Sequence, residues 1–97
     1  MSLDYTPGRY TALRLAAREL IVSDRTVLRR RDHVDLPPEV FAALLVLARD
    51  GYLQHQLPKP GSDLAVRPVG LSLPGTRLLL SFNTEHVRRG QQAGDLR

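Results

Sequence analysis

Nine consecutive residues, Val40 to Ala48, are apolar, and whatever this chain folds into must cover them. A run of that length fits a buried strand or a buried helix, and its flanks decide between the two. Pro37 and Pro38 suit a first helical turn, where no backbone N–H is needed. Asp35 precedes them as a candidate cap, and Glu39 complements the helix dipole. Ala, Leu and Arg are strong helix formers, and Gly51 after Arg49-Asp50 is a C-terminal stop. The pattern predicts a helix from about Pro37 to Asp50. Val40, Leu44 and Leu47 make one stripe along it; Phe41, Leu45 and Ala48 make a second, turned by about 100°. A helix apolar on two sides is covered from more than one direction. One stripe belongs to the domain's own core, and the other needs cover from this chain or another.

With 97 residues the chain makes one domain with a modest core. The absence of cysteine excludes disulfides, a thiol nucleophile and thiolate metal sites. There is no run of 18 apolar residues, and MSLDYTPGRY shows no signal-peptide pattern, so the expectation is a soluble, cytoplasmic protein without a membrane span. Lys and Arg number 14 against 10 Asp and Glu, and all of these cations but Lys59 are Arg. Arg is the better ligand for phosphates and base edges. A GC-rich coding sequence favours Arg as well, so the charge permits nucleic-acid binding without requiring it.

Residues 1–9, with the turn residues Thr6-Pro7-Gly8, read as a flexible arm, 10–82 as the folded domain, and the polar stretch 83–97 as a disordered tail. Tyr10, Leu13, Ala17, Leu20 and Ile21 have helical spacing, which predicts helix 1 from Tyr10 to Val22. Ser23-Asp24 can cap a second helix over Arg25 to about Asp32, ending in the basic run Arg29-Arg30-Arg31; a short strand from Thr26 to Arg30 is the alternative. Tyr52 to Leu57 and Leu64 to Leu71 read as two strands of a hairpin, joined by a Pro- and Gly-rich loop carrying Lys59. Pro68 argues that the later strand is an edge. Ser72 with Pro74 can open a helix that turns Leu78, Leu79 and Phe82 inward, and Pro74-Gly75 can equally be a tight turn into a third strand; helix is favoured. The expected core is Leu13, Leu20, Val27, Leu44 and Leu47, closed by Leu53 and Leu71.

Short helices followed by a hairpin is the order of a winged helix-turn-helix: mainly α, a three-helix core plus a wing. The stretch VDLPPEVFAALLVLARDGYL resembles the turn and recognition helix of the MarR-like repressors, with Leu47-Ala48-Arg49-Asp50-Gly51-Tyr52 matching their Leu-x-x-x-Gly-apolar motif. Asp63 followed by Leu71-Ser72-Leu73-Pro74-Gly75 resembles that family's wing exit, with Ser where Thr is usual. The likeness spans residues 11 to 82. It implies a transcription factor bound to double-stranded DNA, whose second helix braces the backbone, whose third enters the major groove and whose wing reaches the minor groove.

Carried over by position, Glu39, Ala42, Ala43 and Val46 fall where groove-facing residues belong, Lys59 and Arg67 fall on the wing, and Arg29, Arg30 and Arg31 on the second helix. The central helix departs from the pattern, because between Val40 and Ala48 it has no side chain that reads base edges. A second function therefore stands beside the first, a winged helix used for protein contact. Surplus apolar groups also point to a homodimer, with Phe41, Leu45, Leu79 and Phe82 as interface candidates. His33, His55 and His86 lie far apart with no metal-ligand spacing, and no nucleophile motif or phosphate loop appears, so neither catalysis nor a cofactor or metal is expected.

Overall fold

The computed structural model describes residues 3–25, 27–57, 60, 61 and 65–95. The chain runs α1 (Pro7–Ala17), β1 (Ile21–Asp24), β2 (Val27–Arg30), α2 (Pro38–Arg49), β3 (Leu53–His55), β4 (Val66–Leu71) and α3 (Leu73–Asp95). Two hairpins join into one antiparallel sheet in the order β2-β1-β4-β3. Among the described residues the architecture is thus α+β, with three helices and four strands. Among the described residues no helix is long and apolar enough to cross a membrane.

The central helix forms where its sequence requires. Pro38 occupies the first turn and Glu39 follows it, while the cap position is Pro37 with no side-chain hydrogen bond, so Asp35 is not the cap. Val40, Ala43, Leu44 and Leu47 point into the core. They meet Ala12, Leu13 and Ala16 of α1, Ile21 and Val69 of the sheet, and Leu78 and Phe82 of α3. Leu53 and Leu71 pack against this cluster as expected. Val27 does not; it is 56% exposed.

The largest departure from the sequence reading lies between α1 and α2. The expected helix 1 stops five residues early, at Ala17, and Ile21 and Val22 are strand. The expected second helix is absent, and β2 stands in its place, so the described residues contain no helix-turn-helix here. The helix end is a Schellman turn: Glu19 N–H donates to the Ala16 carbonyl, Leu20 N–H to that of Leu15, and Glu19 has φ 60°. The chain then reverses at Arg25, also at φ 60°, and β2 pairs with β1 through Ile21↔Arg30 to Asp24↔Val27.

β4 is an inner strand and not an edge, in spite of Pro68. The Pro68 carbonyl accepts from Gln56 N–H at 2.8 Å, so the proline nitrogen faces the β3 side as well. There β3 has already ended at His55, so the ladder gives up no bond to the proline.

Of the two readings at Pro74-Gly75, helix is the one observed, and α3 runs past Phe82 to Asp95 where a disordered tail was expected. The N-terminal segment holds it. Tyr10 Oη donates to Asn83 Oδ1 at 2.9 Å, Tyr5 meets Phe82 edge-on at 5.3 Å, and the rings of Tyr10 and His86 stack at 4.7 Å. Thr6-Pro7-Gly8 is accordingly a helix start and not a loose turn, with the Thr6 hydroxyl accepting from Arg9 N–H.

Candidate nucleic-acid interface

Direct pairing across the strands fixes which side chains share a face. Ile21, Val69, Leu71 and Leu53 share the face that meets the helices, and the same face continues outward through Ser23, Arg67 and His55. Beyond the core, then, the sheet's helix-side face turns polar and basic. An opening of about 340 Å³ forms there, lined by Ser23, Arg25, His55, Ala65 and Arg67. Ser23 is buried, and its hydroxyl donates to the Arg25 carbonyl at 3.2 Å, which braces the reversal that presents Arg25. Arg25 N–H donates to the Ala65 carbonyl at 2.9 Å, tying the β1–β2 turn to the start of β4. Arg25 and Arg67 are exposed, and neither has an ion pair among the described residues. Lys59 and Asp63, expected on the wing, lie outside the described residues.

The basic run behaves differently from its sequence reading. It sits on a strand and the residue after it, not on a helix. Arg29 Nε contacts Asp24 at 3.2 Å across the hairpin, and Arg30 grips both carboxylate oxygens of Asp32 at 2.9 and 2.7 Å. That grip holds the Asp32 carboxyl below its ordinary range, chiefly through the Arg30 hydrogen bonds, and raises Arg30 in turn. A phosphate would have to compete with these carboxylates. Arg31 is exposed.

The outward face of α2 carries Glu39, Ala42 and Leu45, the last 50% exposed, and none of them reads a base edge. Ala43 is only 6% exposed and belongs to the core, so it is not groove-facing. Val46 is half-buried. Phe41 is half-buried too, in a shallow groove of about 590 Å³ between β2 and the start of α2, shared with Leu28, Arg30, His33 and Leu36. Two interface candidates also change standing. Phe82 is 3% exposed and is a core residue, and Leu79 is half-buried against the same core.

The sequence reading missed Arg25, His55 and Ser23 as neighbours. Arg25 was read as the start of a helix, and only the alternative strand over Thr26 to Arg30 pointed to a hairpin that would carry it to the sheet's end.

Comparison of the chain with protein-family models, with curated protein sequences and with solved structures gives no match.

Proposed function

We propose that the protein is a small DNA-binding regulator of winged-helix type that holds duplex through its phosphates and does little reading of base edges. The observation that carries this is the pair Arg25 and Arg67 beside one opening at the end of the sheet, without carboxylate partners among the described residues. Guanidinium groups so arranged suit phosphate oxygens, and His55 adds a ring donor or acceptor. The order of elements supports the winged-helix part of the reading. A helix ending at Gly51, a hairpin, and a helix opened by Ser72 and Gly75 follow one another as the resemblance to MarR-like repressors implies. The β1–β2 hairpin stands where that family has the second helix of its helix-turn-helix, so α2 has no bracing helix against the backbone. Binding therefore rests on charge and not on helix insertion.

A second reading, a module for protein contact, is favoured by the outward face of α2, where Ala42 and Leu45 are exposed beside Glu39. Fluorescence anisotropy with two unrelated duplexes across a salt series separates the two. The DNA reading expects similar affinity for both sequences and a steep loss with salt. No binding at low salt would leave the protein-contact reading.

A further inference from the structure

We propose that α3 pairs antiparallel with α3 of a second copy of this chain, along a seam of Leu73, Leu80 and Val87. This is independent of the DNA reading. The inner face of α3 is spent on the domain's own core: Leu78 and Phe82 are buried and Asn83 is bonded to Tyr10. On the other side Leu73, Leu80 and Val87 are 65, 62 and 56% exposed. A single exposed leucine is ordinary. These three recur every seventh residue, so they lie in one line about 21 Å long at 1.5 Å per residue. Arg77 and Thr84 fill the positions between them, which gives steps of four and three residues. That alternation has a mean period of 3.5, the period by which one helix keeps its seam against another.

The occupant follows from charge and symmetry. Among the described residues, the chain's own packing against α3 comes from α1, α2, β4 and Tyr5, around Leu78 and Phe82. A second copy offers the identical stripe, and a two-fold pair is the commonest way to cover such a surface. A parallel, in-register pair would set Arg77 against Arg77, and Val87 against Val87 with Arg88 beside Arg88. An antiparallel pair centred on Leu80 sets Leu73 against Val87 of the second copy. It also puts Arg77 next to neutral Asn83 and Thr84, so no like charges meet along the seam. The seam is short, and interfaces below about 1,200 Å² are weak, so association in the micromolar range is expected.

The chain has no cysteine, so engineered thiols report the pairing without background. Under mild oxidation at high micromolar concentration, Leu80→Cys should link to itself. Leu73→Cys and Val87→Cys should link when mixed and only weakly when alone. Sedimentation should show a wild-type dimer that Leu80→Glu, or Thr84→Arg placed beside Arg77 of the second copy, weakens at least tenfold, with circular dichroism unchanged because both positions are exposed. A wild type that stays monomeric, or Leu80→Glu that still dimerises, would overturn the proposal. Self-linking of Leu73→Cys and Val87→Cys as efficient as that of Leu80→Cys would overturn the antiparallel arrangement.

Discussion

The hydroxyl of Ser72 donates a 2.6 Å hydrogen bond to the carbonyl of Gly51, joining the start of α3 to the end of α2 across 21 residues of sequence. The same oxygen accepts from Gly75 N–H at 3.2 Å and so caps α3, while Ser72 N–H donates to the Tyr52 carbonyl. The two short motifs that carry the family resemblance are therefore one structural joint. Ser72→Ala should cost about 1–2 kcal/mol, the worth of a cap plus one carbonyl bond. Gly75→Ala should cost about 1–3 kcal/mol by a different route, because a Cβ there runs into the Tyr52 carbonyl and must displace backbone. Urea unfolding measures both, and two unaffected midpoints would mean that the joint is not under load.

A second pair of variants separates the observed core from the one read in sequence. Leu44 is fully buried and Val27 is 56% exposed. Leu44→Ala should cost about 2–5 kcal/mol. Val27→Ala should stay within about 0.5 kcal/mol. Equal losses at the two sites would place β2 wrongly.

Much of this fold was legible, and what was hidden has an identifiable cause. Both α1 and α2 end in the same Schellman turn. In α2 it is built on Gly51 at φ 83°, with Gly51 N–H donating to Ala48 and Tyr52 N–H to Leu47, and the glycine announces it. In α1 the left-handed position is Glu19, a residue that carries no such signal. The helical spacing of Leu13, Ala17 and Leu20 then ran on by coincidence into β1. The hairpin after it reverses at Arg25, where a tight turn usually shows Gly, Asn or Asp. Val22, Thr26 and Val27 were β-branched hints without a turn to join them. The length of α3 was hidden for another reason, since Asn83 and His86 are ordered by Tyr10 and Tyr5, more than 70 positions away. At the site, Arg67 was legible as a wing residue, whereas its meeting with Arg25 depends on the hidden hairpin.

Acid should loosen the structure through two carboxylates. The Arg30 guanidinium depresses Asp32, and Arg88 with Arg89 depresses Glu85. Each has a folded-state pKa below its unfolded one, so its contribution is present above about pH 4 and is lost as pH falls through the folded value. Thermal unfolding between pH 6 and pH 2.5 should show stability declining below pH 4. Asp32→Asn and Glu85→Gln should each flatten that decline. An unchanged profile in the double variant would mean that other groups control it.

The central claim is that the guanidinium groups of Arg25 and Arg67 at the end of the sheet hold phosphate, and the salt dependence of duplex binding tests it most directly. Arg25→Ala with Arg67→Ala should lower the log–log salt slope by about 1.8, roughly 0.9 for each phosphate no longer neutralised, on any duplex sequence. Arg29→Ala with Arg30→Ala should change the slope less, because those side chains are already engaged by Asp24 and Asp32. A slope that is unaltered by removal of Arg25 and Arg67, or that falls more with Arg29 and Arg30, would contradict the claim.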